Sequence, residues 1–228
     1  AERRLIERED EELREGAILR RIEDQLLEKQ QRLDHLAHHD PLTGLPNRLY
    51  LAARLPDAIA AAQSRNQPLA VLFLDLDRFK HINDTRGHET GDKLLQEVAT
   101  RIRAVVRGSD LVVRMGGDEF VVVLEQVRSA EQVNDTASRI NAALAEPFLI
   151  DGRPIVTTTS IGVSLYPRDG ADAGSLLRLS DTAMYQAKER GRNNFQVFSP
   201  VMDRRLKERV AVETSLRGAI QAGHLDVH

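Results

Sequence analysis

The stretch from Leu111 to Glu125, LVVRMGGDEFVVVLE, carries the most informative pattern in the chain. Two apolar, β-branched runs flank a Gly-Gly pair, which is typical of a strand, a tight turn and a second strand. Two acids, Asp118 and Glu119, directly follow the glycines. The sequence therefore predicts a β-hairpin with two carboxylates at its mouth, and hairpin geometry alone explains the glycines but not the acids.

A second pair of acids ends the most apolar run of the chain, LAVLFLDLD, which follows Pro68 and is typical of a buried strand. Asp75 and Asp77 are two residues apart, so both carboxylates point to the same side of that strand. If the strand neighbours the Gly-Gly turn, Asp75 and Asp118 converge. Oxygen ligands without His or Cys favour Mg²⁺, and clustered strand-end carboxylates hold the metal ions of polymerase-type sites. The alternative for either acid alone is a solvated or turn-capping carboxylate.

The remaining pattern alternates helices with strands. The segment 79–92 is interpreted as a polar loop, and 147–167 as a hairpin with its turn at Asp151-Gly152. Helices are expected over about 48–64, 92–106, 129–145 and 173–190, and NNFQVFS is expected to be a short strand. The order predicts an α+β fold in which helices flank a central, mostly antiparallel sheet of about five strands.

Composition narrows the class of protein. The 228 residues are 41% hydrophobic and 29% charged, with a net charge of −3, so there is no general attraction to nucleic acid or to anionic membranes. The absence of cysteine excludes disulfides and zinc thiolate sites. No apolar run is long enough to cross a bilayer, and no signal peptide is apparent. Because Ala1 lies inside a charged helical pattern, we expect the chain to be a piece of a longer one.

The N-terminal segment, residues 1–39, is expected to be a long coiled-coil-like helix. Two rows repeat every seven residues: Leu19, Leu26 and Leu33, and beside them Ile22, Lys29 and Leu36. Such a narrow stripe favours a parallel dimer helix that carries a signal. The alternative is a solvated amphipathic linker.

Three basic residues, Lys80, Lys188 and Arg192, could supply the positive charge that a triphosphate needs, although such residues are more often solvated. Gly116 and Gly117 would let a bulky anionic ligand approach the backbone, or they simply form the turn.

Over residues 40–199 the chain resembles the GGDEF domain, the catalytic domain of diguanylate cyclases. Five motifs match in order: DPLTGLPNR, FLDLDRFKHINDTRGHETGD, RGSDLVVRMGGDEF, SIGVSLYP and DTAMYQAKERGRN. Such domains join two GTP molecules into cyclic di-GMP and release two pyrophosphates. The resemblance implies a fold like that of nucleotidyl cyclases and polymerase palms, and a catalytic homodimer with one GTP per protomer.

The resemblance implies roles for the acids. Asp75, Asp118 and the backbone carbonyl of Leu76 would bind Mg²⁺, for which Mn²⁺ can substitute. Glu119 would bind metal or activate the attacking 3′-hydroxyl, so Asp118 and Glu119 are the expected catalytic residues.

The resemblance also implies the contacts to GTP. Asn83 and Asp92 would read guanine, because an Asp accepts from both N1–H and the 2-amino group and would be left unpaired against adenine. The other GTP-binding residues would be Phe79, Lys80, Gly116, Gly117, Lys188 and Arg192.

A product-inhibition site is implied by RGSD, in which Arg107 and Asp110 match the family's RxxD motif. Arg139 is the expected second arginine of that pocket. We therefore expect feedback inhibition by cyclic di-GMP.

The C-terminal residues, 200–228, resemble the entry helix of an EAL phosphodiesterase domain and stop before its catalytic motifs. The resemblance thus implies an upstream sensor and a downstream EAL domain in the parent protein, with a cytoplasmic location for this part and no nucleic-acid partner. Three functions stay open: an active cyclase, a catalytically silent GTP-binding module that regulates the EAL domain, and a dimerising signal relay.

Overall fold

The structure is a computed structural model that describes residues 21, 24–26, 28–30, 32, 35–202, 204 and 220. Within this part, the described residues up to position 38 are helical and lead into the helices and strands of the domain. The helices are α1 (Arg48–Ser64), α2 (Phe79–Arg86), α3 (His88–Val105), α4 (Ala130–Ala145) and α5 (Ala173–Glu189). The strands are β1 (Leu69–Leu76), β2 (Leu111–Gly116), β3 (Glu119–Leu124), β4 (Phe148–Ile150), β5 (Arg153–Ile155), β6 (Thr159–Tyr166) and β7 (Phe195–Val197).

The central sheet has five strands in the order β2-β3-β1-β6-β7. The β2-β3, β3-β1 and β1-β6 pairs are antiparallel, and β7 runs parallel to β6. Strands β4 and β5 form a separate two-stranded hairpin. The predicted α+β fold with a mostly antiparallel five-stranded sheet is confirmed.

The core lies in two layers, one on each face of the sheet. Even-numbered residues of β1, such as Leu72, pack with α3 and α4, while odd-numbered residues, such as Val71, pack with α1 and α5. Both faces of β1 are therefore buried, which explains its continuous apolar run. Because Asp75 and Asp77 are odd-numbered, they point to the α5 side of the sheet.

The interpretation of residues 79–92 as a polar loop is wrong. The segment forms α2 and the first turns of α3, with Gly87 between them at a φ of +85°. The segment is polar because α2 is exposed over most of its surface and buries only Phe79 fully, with Ile82 packed against the core. A short helix with so few apolar positions has too little periodicity to be recognised in the sequence.

The interpretation of residues 147–167 as one hairpin needs a correction. The turn at Asp151-Gly152 is where it was predicted, with both residues at positive φ. The strand that follows, β6, instead pairs with β1 in the central sheet. Its eight residues are all buried, so β6 belongs in the middle of a sheet with both faces covered.

The heptad pattern falls largely outside the described residues, as does most of the C-terminal segment 200–228. Among the described heptad positions, Leu26 and Leu36 are 61% and 57% exposed. In the part of the chain that the structure describes, no helix combines the length and the apolar character needed to cross a membrane.

Candidate active site

The register of the sheet brings the predicted acids together. Asp75 at the end of β1 lies directly across from Glu119 at the start of β3. The Leu76 N–H donates to the Asp118 carbonyl oxygen at 3.4 Å. The expectation that the apolar strand and the Gly-Gly turn are neighbours is thus met, and it follows from antiparallel pairing of two strands that are both buried.

The turn that carries Asp118 is held by an arginine. Gly116 and Gly117 have φ values of +140° and +54°, which favour glycine. Arg114 donates from Nε and Nη2 to the Gly117 carbonyl oxygen, at 3.1 and 2.7 Å. Its Nη1 donates to both carboxylate oxygens of Asp40, at 3.0 and 2.9 Å. One guanidinium thus ties the turn to the segment that enters the domain.

Asp40 itself is held by contacts inside the protein. Burial alone would raise its pKa, but hydrogen bonds from Thr43 and the Arg114 guanidinium hold the pKa of Asp40 below its usual range. Thr43 donates from both its backbone N–H and its hydroxyl, at 2.8 and 2.7 Å. Both oxygens of the Asp40 carboxylate therefore accept hydrogen bonds from other residues of the protein.

Negative charge is concentrated at the β1-β3 edge. Burial raises the pKa of Asp75 even though Lys188 Nζ donates to it at 2.7 Å, and the nearby charges of Asp118 and Asp77 act in the same direction as burial. Burial likewise raises the pKa of Glu119, reinforced by the charges of Asp75, Asp181 and Asp118. Such a site is stabilised by a cation.

The donor set suits a hard cation, since every candidate ligand is an oxygen: the carboxylates of Asp75, Asp118 and Glu119 and the carbonyl of Leu76. As arranged, however, no three acidic or histidine side chains among the described residues lie close enough together to hold a metal ion. Lys188 occupies the Asp75 carboxylate instead and supplies the local positive charge. The chemical type of these ligands therefore suits Mg²⁺, and the acids lie at the ends of neighbouring strands.

A pocket of about 220 Å³ opens beside these acids. It is lined by Asp75, Leu76, Asp77, Arg78, Phe79, Lys80, Asp118, Lys188 and Arg192. Three elements contribute: the end of β1 with the start of α2, the β2-β3 turn, and the end of α5. The structure therefore brings together three predicted metal ligands, all three predicted phosphate-binding cations and the predicted GTP contact Phe79. The β2-β3 turn also brings Gly116, Gly117 and Glu119 next to this pocket, but none of the three lines it.

The predicted guanine-reading residues lie on α2 and α3, which meet at Gly87. The side-chain oxygen of Asn83 is buried and has no hydrogen-bond partner. A Cβ built on Gly91 would overlap that oxygen, so a larger residue at this position would require the Asn83 side chain to move. Asp92 is exposed one residue further along α3. Neither Asn83 nor Asp92 lines the acid pocket, so this pair forms a separate part of the site.

The predicted RxxD residues line a different pocket, of about 300 Å³, together with Arg103. The Arg107 N–H donates to the Asp110 carboxylate at 2.9 Å, which closes the turn. Arg139 donates to the Val105 carbonyl oxygen at 3.1 Å but does not line the pocket. Sequence reasoning did not single out Arg103, which reaches this pocket from the last turn of α3, whereas Arg107 lies beyond the end of that helix.

Sequence reasoning also missed a further acid beside this site, Asp181. Asp181 on α5 is a further charge beside Glu119 and Lys188, and it stands seven residues before Lys188 in the same helix. A larger cavity, of about 440 Å³, is lined by His35, His38, His39 and Tyr50 among others, and it shares no residue with the acid pocket. The predicted acids and phosphate-binding cations therefore lie in the smaller pocket.

Comparison with known proteins identifies this arrangement. A family model described as diguanylate cyclase, GGDEF domain, matches residues 37–194. The cyclic di-GMP phosphodiesterase NbdA of Pseudomonas aeruginosa is 39% identical over 216 residues, which are 95% of this chain and 28% of NbdA. The diguanylate cyclase TpbB of the same species is 43% identical over 183 residues, covering 78% of this chain and 42% of TpbB.

The solved GGDEF domain of TpbB (PA1120) superposes with a TM-score of 0.73 at 42% identity, covering 75% of this chain and 99% of that one. The chain spans less than half the length of these two curated relatives. The family model covers well over half of the chain and these relatives are about 40% identical to it, so the chain belongs to the GGDEF diguanylate cyclase family.

Proposed function

We propose that this GGDEF domain condenses two GTP molecules into cyclic di-GMP and two pyrophosphates. The observation that carries the proposal is the single pocket in which Asp75 and Asp118 face Lys80, Lys188 and Arg192. Acids for a metal ion and cations for a triphosphate are the two requirements of phosphoryl and nucleotidyl transfer, where catalysis is mostly positioning and charge stabilisation.

In this proposal Asp75, Asp118 and the Leu76 carbonyl hold Mg²⁺ or Mn²⁺, and Glu119 either adds a ligand or accepts the proton of the attacking 3′-hydroxyl. When bound, the metal stabilises the alkoxide nucleophile and offsets phosphate charge. Lys188, which pairs with Asp75, would exchange that carboxylate for a phosphate oxygen. Lys80 and Arg192 bind the same triphosphate from the other walls.

Guanine selection is assigned to Asn83 and Asp92. What supports this is the unpaired, buried oxygen of Asn83, because a buried acceptor without a partner is costly and guanine offers amino and N1–H donors. Adenine lacks that pair of donors. The proposed uncharged contacts to the nucleotide are made by Phe79, Gly116 and Gly117.

The product joins two nucleotides head to tail, so two domains must face each other across a two-fold axis. We propose a homodimer aligned by the helix at 1–39, with the cyclase domain at 40–199 and the start of an EAL domain at 200–228. Arg107 and Asp110, with Arg139, are the proposed site of feedback inhibition by cyclic di-GMP.

Incubation of the protein with GTP and Mg²⁺, followed by chromatography of the nucleotides, tests the proposal. The expected result is cyclic di-GMP and pyrophosphate, with ATP giving no product. Asp118→Ala and Glu119→Ala should abolish product while circular dichroism stays unchanged, since half-exposed acids at a turn add little to the core.

A second candidate function is a GTP-binding module that regulates an attached phosphodiesterase, which the likeness to NbdA favours. GTP binding without any cyclic di-GMP, at protein concentrations that allow dimers, would support this candidate and contradict the first.

A further inference from the structure

Asp77 is a buried acid that the proposed chemistry does not use. Its side chain is 3% exposed, although it lies one residue beyond β1 and lines the acid pocket. The protein satisfies its carboxylate completely: Thr158 Oγ1 donates to Oδ2 at 2.6 Å and Ser160 Oγ to Oδ1 at 2.7 Å. The backbone N–H of Asn193 donates to Oδ2 at 3.1 Å. Asp77 differs in this from Asp75, whose carboxylate accepts from Lys188 Nζ at 2.7 Å.

The backbone of Asp77 is held as firmly as its side chain. Its N–H donates to the Thr158 carbonyl oxygen at 2.9 Å, and its own carbonyl oxygen accepts from Thr157 Oγ1 at 3.1 Å. Asp77 is therefore fixed by five hydrogen bonds to residues 157–160, at the start of β6, and to the loop after α5.

Two left-handed turns meet at this residue. Arg78 has a φ of +60° where the chain enters α2, while Arg192 and Asn193 have φ values of +64° and +49° in the loop after α5. Non-glycine residues stay in this conformation only where their surroundings hold them. The Asn193 N–H bond to Asp77 is such a restraint, and the Arg192 Nε lies 4.0 Å from the same carboxylate.

Each of these turns presents a cation to the acid pocket. The first precedes Lys80 in the first turn of α2, and the second contains Arg192 itself. Hydroxyl and N–H donors hold the Asp77 carboxylate in place without removing its negative charge, and Arg192 Nε lies 4.0 Å from it. The residue thus orders the two cationic walls without needing to touch the nucleotide.

We propose that Asp77 is a positioning residue for the triphosphate of GTP, which clamps the Arg78 turn and the Arg192 loop so that Lys80 and Arg192 face the same phosphates. This inference rests on the proposed binding of GTP in the pocket. It predicts that loss of the Asp77 carboxylate weakens the binding of the β- and γ-phosphates. The binding of the guanine and of the α-phosphate should hardly change.

The chemistry of the clamp suggests a matched pair of variants. In Asp77→Asn the amide oxygen can still accept from Thr158 and the Asn193 N–H, and the amide nitrogen can donate to Ser160, because hydroxyl protons rotate. In Asp77→Ala all three partners lose their acceptor. Asparagine should therefore recover most of the affinity that alanine loses, since hydrogen bonding rather than charge holds the loop.

The experiment compares, by calorimetry in Mg²⁺, the affinities of the full chain for GMP and for GTP, with GTP supplied as the analogue whose α–β bridging oxygen is replaced by a methylene group so that it is not turned over. Asp77→Ala should weaken GTP binding by about tenfold or more and GMP binding by no more than about twofold, since only the β- and γ-phosphates depend on the clamp. The control is Asp169→Ala, a structural acid 6% exposed that pairs with Arg168 beyond the other end of β6. It should lower the melting temperature without changing the GTP-to-GMP ratio.

Equal losses for GTP and GMP, or an asparagine variant as weak as alanine, would overturn the inference. If Asp77→Ala does not fold, Thr158→Val removes one donor at constant shape and should shift the same ratio in the same direction; an unchanged ratio would overturn it too. A wild-type chain that binds no GTP would instead contradict the proposed function.

Discussion

At the scale of single residues, the acid site depends on how its charges are compensated. Asp75 is paired with Lys188, Asp77 with hydroxyls and a backbone N–H, and Asp40 with Arg114. Glu119 is half-buried and surrounded mainly by other acids, with Lys188 as a weaker compensation. Ionisation of Glu119 therefore costs the folded protein free energy.

Glu119→Gln should stabilise the metal-free protein at pH 7. The pKa of Glu119 is raised on folding, so the folded state binds its proton more tightly than the unfolded state does. The cost of ionisation is complete above the raised pKa and absent below the ordinary value of 4.5, where both states are protonated. The gain in unfolding free energy, measured by urea titration with a chelator present, should therefore shrink as the pH falls toward about 4.

Glu131→Gln is the matched control, since a hydrogen bond from Ser129 lowers the pKa of Glu131. Its effect at pH 7 should have the opposite sign. A destabilised Glu119→Gln protein at pH 7 would contradict the electrostatic account.

Sequence reasoning at this scale singled out Asp75 and Asp118, because hairpin geometry does not explain the acids, and the structure places both in one pocket with Lys188 and Arg192. It could not identify the clamp of Asp77, whose partners Ser160 and Asn193 are 83 and 116 residues away. Nor could it find that Lys188 pairs with an acid, since that contact depends on how α5 crosses β1.

At the scale of elements, α5 packs directly on β6 through a glycine. A Cβ built on Gly162 would overlap the backbone of α5 at Ser180, Ala183 and Met184, and none of these atoms can rotate away. The helix that carries Lys188 can therefore approach β6 this closely only because residue 162 has no side chain.

Gly162→Ala should lower the unfolding free energy by about 2–3 kcal/mol, because helix and strand must separate to admit the methyl group. Cyclic di-GMP production should fall as well, since Lys188 moves with α5. Denaturant titration measures the first effect. Gly108→Ala, whose Cβ would meet nothing within 4 Å, is the control and should be nearly neutral.

Most elements were predictable from periodicity. The bounds of α1 match the expectation, and α5 ends one residue earlier than expected. The start of α3 was missed because its first turn, His88 to Gly91, is polar or lacks a side chain and is needed for contact with Asn83 rather than for the core. The pairing of β6 with β1 rather than with its neighbour in sequence is a non-local choice that short-range patterns do not encode.

At the scale of the whole molecule, the proposed reaction requires two copies. The exposed Leu26 and Leu36 on the N-terminal helix agree with a helix that has a partner, although the full heptad rows lie outside the described residues. The dimer remains a prediction that enzyme kinetics can test.

A chain that starts at His35 should produce less cyclic di-GMP than the full chain at equal low concentration. It keeps the domain and the contact from Asn47 to the Ala37 carbonyl oxygen, but loses most of the heptads. Its turnover per domain should rise with protein concentration, because assembly becomes the limiting step. Equal turnover of the two chains at every concentration would show that the helix does not align the domains.

The arginine that joins Asp40 to the Gly117 carbonyl oxygen limits where this domain can be recombined with others. Its three donor nitrogens serve two segments 77 positions apart, and lysine, with one nitrogen, has no means of doing the same. A chimera that exchanges the input helix therefore has to be spliced before Ala37, whose carbonyl also binds Asn47. A splice point beyond Asp40 would replace the acid that anchors Arg114, and the Gly116-Gly117 turn would lose its native link to the entering segment.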